Sequence, residues 1–283
     1  MSTDANRPAS VIVVLLTYNS EQIIAETLRQ AQKIGKLILA VDSGSTDRTT
    51  GILDSQSCTV LNRPFTNYAD QRNWAIKKAE SMADWQLHLD ADEVMDERLI
   101  IEIKRAISEG KNNAYLMLRE TYFLGRRLKY GGVRSWHLRL FKSGTAMCET
   151  RLYDQHFISL DKASYLKGAL HDRNISSLTE WTARHNRWSD LEVVEVTKKS
   201  AGGAAYTLLP GFTGDARQQR RALKGMYYKL PLGIRAFLYF IFRYFLKAGF
   251  LDGQVGFYYA VLQAFWFRVL IDAKIYERRI ASR

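Results

Sequence analysis

The stretch SVIVVLLTYNSEQIIAETLRQAQKIGKLILAVDSGS, residues 10–45, decides the fold. Residues 11–16 are aliphatic without polar alternation, as in a parallel strand buried on both faces. Thr17, Tyr18, Asn19 and Ser20 end that run with turn chemistry, and EQIIAETLRQAQKI then places apolar residues at helical spacing. KLILAVDSGS is a second short strand with a polar end. Strand, helix and strand in so short a span predict a βαβ unit.

The alternation continues outward. Residues 46–55 read as a helix, CTVLNRP as a third strand, NYADQRNWAIKKAESM as a helix, and WQLHLDADE as a fourth strand ending in acids. This predicts an α/β fold, a mostly parallel sheet with helices on both faces. In such sheets ligands bind outside the carboxyl ends of the strands. From residue 112 the texture changes to the strand-like pieces AYLMLRETYFLG, RRLKYGG, SWHLRLFKSG and ASYLKGALHD. Turns at Gly125, Gly131, Gly132 and Gly144 separate some of them, which predicts smaller mixed or antiparallel structure. Residues 177–199 read as one long helix and residues 201–215 as a Gly-rich loop.

Composition narrows the class. The chain has 283 residues, 47% of them apolar, so it is globular and long enough for one large domain or a domain with an appendage. Two cysteines, Cys58 and Cys148, exclude a disulfide scaffold and a Cys-built zinc site. The opening MSTDANRPAS lacks the basic and apolar regions of a secretory signal, and a cytoplasmic location is expected.

The formal charge of +12 is concentrated at one end: residues 216–283 hold 13 Lys and Arg against 3 Asp and Glu, a surplus of 10. These cations interleave with LPLGIRAFLYFIFRYFLKAGF and GFYYAVLQAFWFRVLI, which are too apolar for an arm that tracks nucleic-acid phosphates. Arg235 and Arg243 interrupt residues 231–246, and Arg268 interrupts residues 253–271. The composition predicts helices lying in a membrane interface, with cations among anionic headgroups. A packed helical subdomain, an oligomer interface and a spanning segment at residues 253–271 are the competing readings.

Three strand ends carry candidate chemistry. Asp90 and Asp92, at i and i+2 in DADE, have the oxygen donors that hold Mg²⁺ or Mn²⁺; the same acids also suit a helix N-terminus. Asp42, in VDSGSTD, is placed to accept hydrogen bonds from a base or ribose, or to organise a helix-capping turn with Asp47. The third end is Thr17-Tyr18-Asn19. Among the histidines, His88 reads as strand packing, while His137 and His185 have no assigned role.

Together, in order, TYNSE, VDSGSTDRT, NYADQRNWAI, LHLDADE, RLFKSGTAMCETRLYDQH and LHDRNISSLTEWTARHNRWSDLE resemble family 2 glycosyltransferases of the GT-A fold. The tail AGFLDGQVGFYYAVLQAFWFRVLIDAKIYE resembles bacterial members that build cell-surface polysaccharide or lipopolysaccharide core. The resemblance covers roughly residues 10–276. It implies a catalytic domain over residues 1–200, with a nucleotide-binding half at about 10–110 and an acceptor half at about 111–200, followed by a basic helical region over 201–283.

What the resemblance implies for the site is specific. Thr17, Tyr18, Asn19 and Glu21 line the nucleotide pocket, and Asp42 contacts the uracil–ribose part of a UDP-sugar. Arg72 faces the nucleotide or its phosphates, and Asp90 holds the ribose or donor sugar. Asp92 coordinates a divalent Mn²⁺ or Mg²⁺, and His171 completes the metal and diphosphate site. Asp154, in RLYDQH, stands where relatives carry the general base, although many have a His-Glu or Asp-Glu pair where this chain has Tyr153-Asp154; Glu149 is the second choice. Arg184, Asn186, Arg187 and Trp188 close over phosphates or acceptor.

The implied reaction is an inverting transfer of a sugar, a hexose, from UDP to a lipid-linked saccharide. It needs one base for the acceptor hydroxyl and positive charge at the leaving diphosphate. The implied place is the cytoplasmic face of the inner membrane, reached by peripheral association. A polyprenyl-phosphate glycosyltransferase and a non-catalytic nucleotide-sugar-binding membrane scaffold are the alternatives.

Overall fold

A computed structural model describes residues 9–198 and 207–282. The opening eight residues on which the leader reading rests, the end of the helix expected over 177–199 and the first part of the expected loop at 201–215 lie outside the described residues.

The strands and helices of the first half alternate as the sequence predicts. They run β1 (Val11–Thr17), α1 (Ile24–Ile34), β2 (Leu37–Asp42), α2 (Thr49–Ser55), β3 (Thr59–Asn62), α3 (Tyr68–Ala79), β4 (Trp85–Asp90), β5 (Glu93–Met95) and α4 (Glu97–Glu109). Then follow β6 (Ala114–Phe123), β7 (Arg126–Arg127), β8 (Ser135–Lys142), β9 (Ala146–Cys148), β10 (Phe157–Ser159) and β11 (Ser164–Asp172). The remaining helices are α5 (Leu178–Thr197), α6 (Ala216–Lys229), α7 (Ile234–Ile241), α8 (Gly253–Tyr259) and α9 (Phe267–Ala281).

The main sheet has the order β3-β2-β1-β4-β8-β6-β11-β5. β1 pairs parallel with both β2 and β4, whereas β8 runs antiparallel to β4 and β11 antiparallel to β5. The continuous apolar run of β1 has its explanation in this arrangement. Val13 and Leu15 join the core formed with α1 and α4, while Ile12 and Val14 join the core formed with α3 on the other face. Each such fully buried aliphatic side chain contributes about 1.5–3 kcal/mol.

Asp96 caps α4 by accepting the Leu99 N–H at 2.7 Å, and its other oxygen accepts Ala169 N–H of β11 at 2.9 Å. Gly168, at φ +95°, lies against the backbone of Leu99; a side chain there would collide with the helix.

The chain divides into two compact units. The first takes residues up to Arg119, Trp136–Glu149 and His156–Asp172; the second takes Glu120–Ser135, Thr150–Gln155 and the chain from Arg173 onward. In the second unit, α5 packs along α9 through Val193, Phe267, Ile271 and Ile275. A second apolar cluster joins Phe123, Leu128, Val133 and Trp181 to Tyr259 and Leu262. Asp252 accepts the Lys129 and Tyr130 N–H groups at 3.1 and 2.9 Å, and Gly131 N–H bonds Lys247 O at 2.8 Å, which fastens the 128–133 segment to the helical tail.

In that tail, α7 continues into a π-helical turn, Phe242–Leu246, and a second π-helical segment, Ala260–Trp266, joins α8 to α9. Phe237, Leu238, Phe242, Phe245 and Leu246 are exposed. No described helix is long and apolar enough to cross a membrane.

Candidate functional site

The parallel register of the first unit sets three strand ends at one level of the sheet. Thr17 pairs with Asp42, and Leu16 with Asp90. Nearby, the antiparallel pairing of β5 with β11 places His171 opposite Val94 and Asp172 opposite Glu93, so the LHD segment runs beside DADE. Thr17, Asp42 and Asp90 therefore end neighbouring strands of the same unit, while Asp92 lies between β4 and β5 and His171 lies in β11, which pairs with β5.

The loops after β1 and β2 are knitted together. Asp42 is buried and receives four hydrogen bonds: Thr17 Oγ1 at 3.0 Å and Ser45 Oγ at 2.5 Å on one oxygen, Gly44 N–H at 2.9 Å and Ser45 N–H at 2.7 Å on the other. A carboxylate has about four acceptor sites, so its own loop fills them. Gly44, at φ +91°, permits this tight return. Asn19 Oδ1 accepts Thr46 N–H at 2.8 Å, and Glu21 accepts both N–H and Nε–H of Arg48 at 3.0 and 3.1 Å. Asp47 binds Thr49 and the Glu21 N–H, while Tyr18 stands out, 60% exposed.

Beneath the fourth strand's end lies a buried ion lattice. Asp90 accepts Tyr68 Oη–H at 2.8 Å and an Arg72 guanidinium hydrogen on one oxygen, and Arg139 Nη2 at 2.7 Å on the other. The same Arg139 nitrogen reaches Glu93 at 2.6 Å, and Arg119 bridges Glu93 and Asp172. Burial works to raise the Asp90 pKa, but Arg139, Arg72 and the Tyr68 hydroxyl outweigh it and hold the carboxyl well below its usual range. Burial also pushes the Tyr68 phenol up to about 12, which keeps it a donor. The wholly buried Arg72 points into this lattice and onto the Leu89 carbonyl at 3.0 Å. His88 is buried and stacks on Phe141 at 5.1 Å, the packing role read from its strand position.

The donor set bears on a metal. Both Asp90 oxygens are engaged by cations and a phenol, and Asp92, two residues on, is half-buried. Among the described residues, no three His, Cys, Asp or Glu side chains form a ready ligand group. A Mg²⁺-type ion, however, is commonly held by one or two protein carboxylates with substrate phosphates filling the rest. Asp92 fits that sparse pattern; an all-protein cage does not.

In the second unit, Asp154 occupies left-handed backbone, φ +58°, which Asp tolerates better than most residues. Its carboxylate pairs with Lys224 Nζ at 2.9 Å, and its main-chain carbonyl accepts Arg221 Nη2 at 3.1 Å. Lys224 also meets the buried Glu192 at 2.8 Å. Arg184 lies over Trp188 at 5.3 Å, and Trp188 approaches Tyr153 at 5.9 Å. Arg187 is exposed, and Asn186 Oδ1 accepts Lys274 at 2.9 Å. Glu149, in the first unit, is wholly buried and accepts the His156 N–H at 2.9 Å.

His185 stacks on Trp181 at 3.5 Å. Burial, opposed by the Trp181 carbonyl and aided by Arg184 and Arg268, lowers its pKa from 6.5 to about 4. In the unfolded chain this imidazole protonates below about pH 6.5, whereas the folded protein keeps it neutral. Its linkage leaves stability unchanged at higher pH and lowers it as pH falls toward 4, by up to about 1.4 kcal/mol per unit. Urea unfolding across that window should show a shallower pH slope for His185→Gln; an unchanged slope would refute the assignment.

Sequence reasoning missed Arg139, Arg119, Tyr68 and Asp172 as partners of the DAD segment. The sequence carried no distinct signal: in SWHLRLFK, Arg139 lies between Leu138 and Leu140, where alternation suggests an outward residue, yet it is buried.

The model for the family described as Glycosyl transferase family 2 matches residues 12–172, more than half of the chain. An uncharacterized glycosyltransferase of Rickettsia prowazekii is 29% identical over 160 residues, which are 56% of this chain and 50% of that protein. The chain thus spans about half the length of this relative and its Rickettsia counterparts. A lipopolysaccharide core biosynthesis glycosyltransferase, LpsC of Rhizobium meliloti, is 24% identical, with 96% of this chain and 93% of LpsC covered. Among solved structures, S. aureus TarS 1-349 in complex with UDP-GlcNAc is 14% identical with a TM-score of 0.44, covering 95% of this chain and 92% of that one.

Proposed function

Because the chain belongs to glycosyl transferase family 2, we propose that it moves a hexose from UDP to a lipid-linked saccharide, with inversion, in surface polysaccharide or lipopolysaccharide synthesis. The observation that carries the reading is the convergence of strand ends in the first unit, Thr17, Asp42 and Asp90 in register with the LHD strand close to DADE. The near full-length similarity to LpsC, tail included, supports the acceptor class.

The knitted loop of Tyr18, Asn19, Glu21 and Asp42 frames the nucleotide. Arg72 acts through Asp90, whose position it fixes. Asp92, with His171, would hold a divalent Mn²⁺ or Mg²⁺. Such an ion supplies positive charge to the departing diphosphate. Asp154 takes the proton of the acceptor hydroxyl as that oxygen attacks the anomeric carbon, and UDP leaves from the opposite side. Arg184, Arg187 and Trp188 hold acceptor or phosphate groups.

UDP release from a panel of UDP-hexoses, with membrane extract as acceptor source and Mn²⁺ added, tests this directly. EDTA and Asp92→Ala are each expected to lower release by about 10²–10³-fold, the cost of losing one preorganised charge. Turnover unchanged by both would remove the metal role, and no turnover with any donor would leave a binding protein only.

We further propose peripheral attachment to the cytoplasmic face of the inner membrane through residues 216–283. Exposed Phe237, Phe242, Phe245 and Leu246 beside Lys247 combine apolar surface with cationic charge. The double change Phe245→Glu, Leu246→Glu should weaken sedimentation with anionic vesicles by about tenfold or more, given about 1.5–3 kcal/mol per buried side chain. Undiminished sedimentation would contradict the attachment.

A further inference from the structure

Two arginines of the helical unit flank one phenol. Arg243 donates to Tyr239 Oη at 2.6 Å, with its guanidinium centre 5.4 Å from the ring centroid. The Arg268 guanidinium centre lies 5.3 Å from the same centroid. Tyr227 packs edge-on to Tyr239, with centroids 5.6 Å apart. Arg243 lies within the π-helical turn Phe242–Leu246, and Arg268 lies in the first turn of α9, two residues after the π-helical segment Ala260–Trp266, against which the Phe242–Leu246 turn packs. Single π-turns inserted in helices mark functional sites more often than ordinary helix does.

Three buried donors around this phenol are unmatched. Arg243 Nε, Arg268 Nε and Tyr227 Oη are buried and have no hydrogen-bond partner among the described residues; Arg243 as a whole is only 8% exposed. All three can donate. Neither arginine forms an ion pair with a described carboxylate, although the nearby Glu192 keeps one buried oxygen, Oε2, without a hydrogen-bond partner. Asp272 binds Arg235 at 2.8 Å, and Glu192 binds Lys224 at 2.8 Å and the Tyr228 hydroxyl. Buried donors without acceptors are costly, and guanidinium forks suit tetrahedral oxyanions.

We propose that Arg243 and Arg268, with the Tyr227 and Tyr239 hydroxyls, form a phosphate-binding site in the helical unit. The ligand is a phosphate group, carried by a lipid headgroup or free in solution. The positive surroundings have a second signature. Burial works to raise the Tyr239 phenol, yet Arg243, Arg268 and the nearby Arg220 bring it down to about 8. This site differs from a diffuse basic surface because it depends on the geometry of two forks and not on their charge alone.

The test reads binding by the full chain, without donor or turnover, so its failure is distinct from failure of the transferase reading. Cosedimentation is measured with phosphatidylcholine vesicles containing phosphatidic acid, and with vesicles given the same negative charge by oleate. The protein is expected to prefer the phosphatidic acid vesicles by about tenfold, the value of one charge-assisted hydrogen bond. Arg243→Lys and Arg268→Lys keep charge but lose the fork, and each should abolish that preference. Tyr239→Phe, which keeps the ring beneath both arginines, should reduce it and provides a second, milder variant; thermal melting verifies that each is folded. Competition by inorganic phosphate identifies a site open to free phosphate, and its absence identifies the headgroup as the source; both support the site. Equal binding to the two vesicles, or a preference retained by folded Arg243→Lys and Arg268→Lys proteins, overturns it.

Discussion

Asp154→Asn is expected to lower the rate of sugar transfer by about 10²–10⁴-fold while leaving UDP-sugar binding nearly intact. The magnitude is that of a positioned general base. Asparagine has the same shape and tolerates the left-handed backbone that residue 154 adopts, so the variant should fold. What it loses is the capacity to take a proton, together with the negative partner of Lys224 at 2.9 Å. UDP release under saturating donor measures the first quantity, and calorimetric titration with the UDP-sugar measures the second. Activity within a few-fold of the parent would place the base elsewhere. Simultaneous loss of binding would make Asp154 a donor contact.

The second large effect concerns stability. Arg139→Met is expected to destabilise the first unit by about 3–5 kcal/mol, the usual cost of removing one partner from a buried ion pair. Asp90 and Glu93 both lean on a single Arg139 nitrogen, at 2.7 and 2.6 Å. Methionine fills much of the space but leaves Arg72 and Arg119 as the remaining cationic partners of two buried carboxylates. Burial already raises the Glu93 pKa, with Asp90 adding to it, and losing Arg139 removes the main influence in the other direction. Adding Glu93→Gln to Arg139→Met should recover part of the loss because one stranded charge disappears. Urea unfolding of the single and double variants decides it. A loss below about 1 kcal/mol would show that water reaches the lattice and screens it.

The parts of the architecture that depend on near neighbours were legible. Residues 11–16 read as a strand because a strand covered on both faces must be apolar throughout, and this run is; residues 37–42 and 85–90 read as strands that end in an acid, with Gln86 and His88 buried inside the second. The short pieces after residue 112 were also recognisable, since glycines set their limits and the antiparallel pairings followed. The ion lattice was not legible. Arg139 lies 49 residues from Asp90, and a lone arginine in a strand reads equally as an outward residue. Asp42 was marked as important, but its two possible uses, loop organiser and ligand contact, differ only in the direction of hydrogen bonds that residue spacing does not encode. The π-helical turns around Arg243 and Arg268 likewise lack a compositional mark; Phe242–Leu246 and Ala260–Trp266 read as ordinary apolar helix.

The division of the chain has a consequence for synthesis. The polypeptide passes between the two units five times, at 119/120, 135/136, 149/150, 155/156 and 172/173, and the first two crossings fall within β6 and β8 or at its opening residue. The segment that matches the family, residues 12–172, therefore includes two excursions into the second unit. A ribosome that has released only that segment has made a sheet whose excursions still await the helices they belong with. β5 must also wait about seventy residues for β11 before its edge is covered. Long-range closures of this kind slow folding and prolong exposure of apolar surface. The nascent protein thus acquires both compact bodies late and almost together, and a polypeptide terminated at Asp172 would be an unfinished molecule, not a smaller one.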